Sequence, residues 1–345
     1  MDYEIELKDP LKIFKLRKSK AALKYPKLIP LFHWKSQNTD IPVIDPNYKF
    51  DVKSLGKVLH GLTSNSKVWI SGETGTGKSS LITQVAAYLN WPLIRINFDS
   101  EITRSDLVGR DVLKSVNGNT VSQFIDGILP QAISGPNLIL LDEIDFVRPD
   151  IAYVLQSVLD DFGLRINEDG GRLVTTHEEC RIFATANTRG QGDTSAKYSG
   201  ARNQSAALRD RFNIWIEKDY LHPYQEIQLL DSKEMDLTLE GKQSLKKYIT
   251  AHRRAYRQET VYIPLTPRSL ETTAYLVNNL TENGLSMNDA FKYALELTIL
   301  NKCEDQDRSV ITGLVQRHFP DNVQEKVNDK EDDQFDLHSD DDIPF

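Results

Sequence analysis

The sequence predicts an α/β fold with a mainly parallel sheet, followed by a smaller helical domain. Between residues 51 and 220, four apolar runs of strand length alternate with helical stretches, at 68–70, 93–98, 138–141 and 181–187. This alternation is typical of parallel strands joined by crossover helices. Two hairpin signals interrupt it, one at Asn117-Gly118 and one at Asp169-Gly170-Gly171. Beyond residue 220 the strand pattern stops, and amphipathic helices are expected.

The domain boundaries follow from these changes in pattern. We predict a basic N-terminal arm and connector without a core over 1–50, an α/β domain over 51–220, a helical domain over 221–320 and an acidic disordered tail over 321–345.

Composition narrows the class of protein. No apolar run approaches the roughly 18–20 residues that a membrane-spanning helix needs, and the N-terminus lacks the basic-then-apolar order of a signal peptide. Cys180 and Cys303 are the only cysteines, which excludes a disulfide framework. We therefore expect a cytoplasmic protein without a membrane partner.

Charge is concentrated at the two ends. Residues 321–345 contain ten acidic residues and two lysines, a difference equal to the whole net charge of −8. Residues 12–27 contain seven Lys or Arg and no acid. A solvated helix face and a nucleic-acid contact both remain open for this basic segment.

A phosphate-binding loop follows the first predicted strand. The pattern G-x-x-x-x-G-K-[ST] needs a strand before it and a helix after it, and both are predicted here. The backbone N–H groups would surround the phosphates, Lys78 would neutralise β- and γ-phosphate oxygens, and the Ser79 hydroxyl would bind Mg²⁺. The predicted nucleotide contacts are Gly72, Glu73, Thr74, Gly75, Thr76, Gly77, Lys78, Ser79 and Ser80.

Acidic residues at the end of a buried strand complete the predicted site. Asp142 follows the apolar run 138–141 and can hold Mg²⁺ through water, and Glu143 can polarise the attacking water. The guanine-reading Asn-Lys-x-Asp pattern is missing, because 301–305 has Glu304 in the fourth place. ATP is therefore the predicted nucleotide.

Further polar residues that could act on the nucleotide follow these motifs along the chain. Asn187 ends the next strand and can hold the water or the γ-phosphate, Arg209 and Arg211 come after it, and Arg268 begins a helix in the second domain. Any single arginine could equally form a surface salt bridge.

These motifs resemble those of the MoxR-type branch of the AAA+ ATPases, and within it the group of the cobaltochelatase small ATPase subunit. The resemblance covers roughly residues 40–300 and is carried by "VIDPNYKFD", "INFDSEITRSDLVGRD" and "TANTRGQGDTSAKYSGARNQSAALRDRF". It implies a ring, usually a hexamer, with ATP between subunits. It also implies that Asn187 is sensor 1, Arg268 is sensor 2, and Arg211 is the finger reaching the neighbouring subunit's ATP, with Arg209 as the alternative. Both hairpins would face the pore.

Two functions remain open from the sequence. The favoured one is DNA replication, recombination or repair, with DNA as a partner of the basic segment. The alternative is activation of a metal-inserting enzyme through a partner with a von Willebrand A-like domain. The ending "DDDIPF" resembles the tip of bacterial single-stranded DNA-binding protein, which implies docking on proteins that recognise that tip. The docking residues would be Asp340, Asp341, Asp342, Ile343, Pro344 and Phe345.

Overall fold

The computed structural model describes residues 2–18, 24–99, 101–116, 119–192, 198, 200–233, 235 and 237–321. Its strands in chain order are β1 (Tyr3–Lys8), β2 (Ile29–Trp34), β3 (Val68–Ser71), β4 (Leu93–Asn97), β5 (Gly109–Val116), β6 (Asn119–Asp126), β7 (Leu138–Asp142), β8 (Leu164–Ile166), β9 (Arg172–Val174), β10 (Arg181–Ala186) and β11 (Ile214–Glu217). The helices are α1 (Pro10–Ile13), α2 (Val52–Thr63), α3 (Lys78–Tyr88), α4 (Arg104–Leu107), α5 (Ile128–Ser134), α6 (Pro149–Leu159), α7 (Ala206–Asp210), α8 (Pro223–Ser232), α9 (Leu239–Arg257), α10 (Pro267–Glu282), α11 (Met287–Thr298) and α12 (Asp305–His318).

A five-stranded parallel sheet forms the centre of the α/β part. Its order is β11-β3-β10-β7-β4, with in-register pairs such as Ile70 with Thr185 and Leu140 with Phe183. Every residue of β3, β7 and β10 is buried, which explains why these strands read as continuous apolar runs. Helices cover both faces, so the predicted α/β class with a parallel sheet is confirmed.

Residues from the first fifty contribute to this core, which differs from the expected arm. Strands β1 and β2 pair antiparallel, and Tyr3, Phe14, Ile29 and Phe32 are buried in the same apolar cluster as α2 and α3. The Phe32 N–H donates to the Leu89 carbonyl at 3.0 Å. Residues 3–8 alternate apolar and polar side chains as a strand does, but Ile5 and Leu7 are exposed. The buried residues that anchor this segment are widely spaced along the sequence.

The two hairpins form at the predicted places. Strands β5 and β6 pair from Gly109 with Asp126 to Val116 with Asn119, and β8 pairs with β9. The turn residues 117 and 118 lie outside the described residues.

Helices α8 to α12 pack around their own apolar cluster, which includes Tyr248, Phe291 and Phe319. A buried ion pair joins α8 to α9, with Arg253 donating to Glu226 at 2.6 and 2.8 Å. Within the described part of the chain, no helix is both long and apolar enough to cross a membrane.

Candidate nucleotide-binding site

The predicted phosphate loop connects β3 to α3. Gly75 (φ 76°) and Gly77 (φ 78°) adopt left-handed backbone conformations that side chains disfavour. A Cβ atom on Gly75 would lie 2.7 Å from the Cβ of Thr266, the residue that caps α10. The loop therefore needs glycine both for its turn and for its contact with the helical domain. Ser80 lies exposed on the first turn of α3.

Lys78 lies under this loop and is buried. Its Nζ donates to the Gly72 carbonyl at 2.8 Å, to the Glu73 carbonyl at 3.0 Å and to Asn187 Oδ1 at 2.9 Å. Burial lowers the pKa of Lys78 to about 8, although nearby carboxylates such as Asp145 and Asp142 oppose the shift. The ammonium group is thus held at the place where the loop would surround phosphates.

Asp142 and Ser79 lie in direct contact, as a magnesium site requires. Ser79 Oγ donates to Asp142 Oδ1 at 2.7 Å, and Thr185 Oγ1 donates to the same oxygen. Arg95 on β4 pairs with the other oxygen of Asp142. This arginine had no signal in the sequence, because it lies in the middle of β4 and reaches Asp142 only through the pairing of β4 with β7.

Glu143 adopts an unusual backbone conformation directly after β7. Its φ of 58° lies in the left-handed region, which is rare for a glutamate. The Glu143 N–H donates to Thr185 Oγ1 at 3.3 Å, and the residue is exposed. Partial burial raises its pKa, and the charges of Asp142 and Asp145 raise it further. A raised pKa suits a residue that accepts a proton from water.

Asp145 positions the end of β10. It is fully buried, and its Oδ2 accepts hydrogen bonds from the N–H groups of Asn187 and Thr188, both at 3.0 Å. Burial raises the pKa of this carboxyl group. Asn187, fixed in this way, contacts Lys78 and also accepts from Thr74 Oγ1 at 3.4 Å. The sequence motif contains Asp145 but does not reveal this supporting role.

Three tyrosines hold the phosphate loop from outside. Tyr256 on α9 donates to Glu73 Oε2 at 2.8 Å, and Tyr198 donates to the same oxygen. Tyr220, which follows β11, donates to the Thr74 carbonyl at 2.7 Å. Glu73 is thus a direct link between the loop and the helical domain, a role that the sequence pattern does not show.

A cavity of about 330 Å³ lies between the loop and the helical domain. Predicted residues Gly72, Glu73 and Asn187 line it. So do charged residues that the sequence analysis did not single out: Arg189, Glu217, Lys218, Asp219, Arg253 and Arg257. Arg253 lies over the Tyr220 ring, with its Cζ 4.1 Å from the ring centroid. These residues come from separate elements and share no local motif, so only the fold brings them together.

The three predicted arginines lie elsewhere. Arg211 donates to Asp160 Oδ2 at 2.7 and 2.9 Å and to the Ala207 carbonyl at 2.6 Å, on the side of α6 and α7. Arg209 has a buried Nε without a hydrogen-bond partner among the described residues. Arg268 is exposed near the start of α10 and does not line the cavity. None of the three contacts the phosphate loop of its own chain in the described interactions. The predicted docking residues 340–345 lie outside the described residues.

The hydrogen-bond donors and the possible metal ligands of this site fit a nucleoside triphosphate with Mg²⁺. The loop offers backbone N–H groups and a buried ammonium group for phosphates, and Ser79 with Asp142 offers one hydroxyl and one carboxylate oxygen. Mg²⁺ commonly takes one or two carboxylates and fills its other positions with water and phosphate oxygens. This fold and this site define a P-loop ATPase of the AAA+ class.

Known proteins place the chain more narrowly. Residues 67–212 match the family described as AAA domain (dynein-related subfamily). The chain is 36% identical over 283 residues to the aerobic cobaltochelatase subunit CobS from Sinorhizobium sp., which covers 81% of this chain and 83% of that subunit. The chain therefore belongs to the CobS family of AAA+ ATPases.

More distant similarities cover part of the chain or concern its fold. The chain is 29% identical over 167 residues to midasin from Giardia intestinalis, which is 48% of this chain but 3% of midasin. Its fold is similar to that of a RuvB point mutant from Thermotoga maritima, with a TM-score of 0.50, 16% identity and coverage of 79% and 76% of the two chains. At that identity the RuvB similarity concerns the fold alone.

Proposed function

We propose that this ATPase works as the motor subunit of a cobaltochelatase-type assembly, in which ATP hydrolysis activates a metal-inserting enzyme. The observation that carries the proposal is the 36% identity to CobS across 83% of that subunit. This was the alternative in the sequence analysis, and the relatives support it better than the favoured role in DNA metabolism.

Within one subunit, the described contacts support a division of roles. The loop N–H groups and Lys78 would bind and orient the phosphates. Glu143 would accept a proton from the attacking water, and Asn187 would hold that water or the γ-phosphate. Mg²⁺, held by Asp142 and Ser79, would neutralise charge on the phosphates.

Hydrolysis would also need a neighbouring subunit. Arg211 lies among residues of α6 and α7 and does not contact its own phosphate loop in the described interactions. An arginine in this position can act on ATP bound by the next subunit, so that turnover depends on assembly. We propose a homo-oligomeric ring, a hexamer, with Arg211 as that arginine.

The partner would carry a von Willebrand A-like domain and connect the ring to the metal-inserting subunit. The test is to purify the full chain and to measure its ATP turnover with and without the von Willebrand A-domain protein encoded nearest to its gene. Formation of a complex and a change in turnover are expected. Glu143→Gln should retain the complex without turnover, which separates assembly from hydrolysis.

One outcome of this experiment would contradict the chelatase-type role. If the ring forms but neither binds such a partner nor changes its turnover, the chelatase-type role is wrong. Stimulation by single-stranded DNA under the same conditions would instead support the second candidate. That candidate rests on the basic segment 12–27 and on the ending "DDDIPF" alone.

A further inference from the structure

A basic groove crosses the helical domain between α9 and α12, away from the nucleotide site. Its volume is about 770 Å³. Its ionisable lining is entirely basic and consists of Lys246, Lys247, Arg254, Arg317 and His318. Ala251, Ala255 and Leu314 contribute apolar surface between these groups. The groove thus offers both positive charge and a small apolar floor.

The positive charges in the groove differ from several other cations of the helical domain in their partners. Elsewhere in that domain, Lys242 pairs with Asp231 at 2.9 Å and Lys233 with Glu271 at 2.7 Å. By contrast, no ion pair within 4.0 Å joins Lys247, Arg254 or Arg317 to any described residue. The groove therefore keeps a positive potential.

The titration of His318 agrees with that potential. Burial lowers its pKa, and the charges of Arg317 and Lys247 lower it further. Lys246 contacts an aromatic ring rather than an acid, with its Nζ 5.8 Å from the centroid of Tyr224. A ligand for this groove should be an anion with apolar groups at intervals.

A segment of this chain has that chemistry and begins a few residues after His318, a residue of the groove. Helix α12 ends at His318, which lines the groove. The chain then passes α11, where Asn288 donates to the Pro320 carbonyl at 3.0 Å and Lys292 pairs with Asp321, the last described residue. The following residues 322–345 contain nine acids and two lysines, with apolar residues such as Phe335 and Leu337 between them. At up to about 3.3 Å per residue, this segment is long enough to cover the groove.

We propose that residues 322–345 dock in the basic groove of the same chain. Opposite charges would bring the segment to the groove, and its apolar residues would pack on Ala251, Ala255 and Leu314. Because the segment begins four residues after His318, its effective concentration at the groove is high, and weak contacts are sufficient. Nucleic acid is also anionic, but it has no such attachment.

The test uses the full chain with a photo-reactive benzoylphenylalanine in place of Phe335. Cross-links are expected on α9 and α12 at the groove. Lys247→Glu combined with Arg317→Glu should reduce them about tenfold, because two attractive charges become repulsive. Raising the salt concentration should reduce them as well.

A matched control makes the result specific. Lys302 and Arg308 are also exposed and outside the described ion pairs, but they do not line the groove. Lys302→Glu with Arg308→Glu changes the charge of the domain equally and should leave the cross-links intact. Equal losses in both double variants, or cross-links outside the groove, would contradict the proposal.

Two further outcomes would also overturn it. Mixing isotope-labelled and unlabelled chains shows whether a cross-link joins two copies, and mostly mixed cross-links would assign the groove to a neighbour's segment. If no cross-link forms while single-stranded DNA binds and requires Lys247 and Arg317, the groove is a nucleic-acid site.

Discussion

The two parts of the chain that meet at the candidate nucleotide site contribute to it in different ways. The α/β part provides groups fixed by strand ends and a tight loop, namely Lys78, Asp142 and Asn187. The helical part provides long side chains from one helix, namely Arg253, Tyr256 and Arg257 on α9. The first set is held by the sheet and by local hydrogen bonds, such as those from Lys78 to the carbonyls of Gly72 and Glu73. The position of the second set depends on how the helical domain packs on the loop. We therefore expect the α/β part to carry out ATP hydrolysis and the helical part to control nucleotide binding.

The largest expected effect tests whether one chain is enough for chemistry. Arg211→Ala should reduce ATP turnover by about 10³–10⁵ while ATP affinity changes little, because an arginine from a neighbour stabilises the transition state rather than the bound substrate. Turnover and nucleotide binding are measured on the assembled protein.

Mixing variants decides whether Arg211 acts between subunits. A mixture of Arg211→Ala and Glu143→Gln should recover some activity, since each subunit supplies the group that its neighbour lacks. Arg209→Ala in the same mixing experiment is the control for the alternative arginine. An inactive mixture, with mixed rings shown to form, would rule out the role between subunits.

The next effect separates binding from chemistry within the α/β part. Glu143→Gln should lower turnover by about 10²–10⁴, the usual contribution of a general base, while ATP binding remains. Lys78→Ala should instead abolish nucleotide binding, because a buried cation is lost from the phosphate site. Binding by fluorescence and turnover by phosphate release distinguish the two. Normal hydrolysis by Glu143→Gln would mean that another residue activates the water.

The two parts also differ in how many of their site residues can be predicted from the sequence. The phosphate loop, Asp142 and Glu143 are contiguous motifs next to apolar strands, so their place and their chemistry follow from local pattern. Arg95 and Lys218 reach the site only through strand pairing, and Tyr256 and Arg257 only through the docking of α9. An amphipathic helix shows which face is buried but not which polar residue lies over a distant loop.

Arg268 shows that a residue predicted to contact the nucleotide can lie away from the cavity. A resemblance assigns it to the nucleotide, yet it is exposed and does not line the cavity in this structure. The N-cap of its helix, Thr266, does contact the loop at Gly75. The start of the helix therefore lies at the phosphate loop, while a contact between Arg268 and the nucleotide stays a prediction.

A smaller effect concerns the pH dependence of ATP binding. The pKa of Lys78 is lowered to about 8 by burial, and phosphates would raise it again. Affinity should therefore be full below about pH 8 and fall as the pH rises through that value, by at most about tenfold per pH unit. Calorimetry in buffers of different ionisation enthalpy should detect proton uptake near pH 8.

Lys218 is the necessary control for that experiment, because burial also lowers its pKa and it lines the cavity beside the phosphate loop. Lys218→Met should leave proton uptake near pH 8 in place. Loss of the uptake in this variant would assign the titration to Lys218 instead of Lys78.

The smallest expected effect tests whether the helical part controls nucleotide binding. Tyr256→Phe removes the hydrogen bond to Glu73 but keeps the ring, so the packing of α9 is preserved. Tyr198 still donates to the same carboxylate, and the loss should therefore be modest, about 0.5–1.5 kcal/mol. That corresponds to a roughly two- to tenfold faster release of nucleotide, measured by stopped-flow with a fluorescent ATP analogue, with little change in the hydrolysis step. Tyr275→Phe, at an exposed tyrosine on α10, should have no effect. If Tyr256→Phe slows hydrolysis instead of speeding release, the helical part takes part in the chemistry, and the separation between the two regions is wrong.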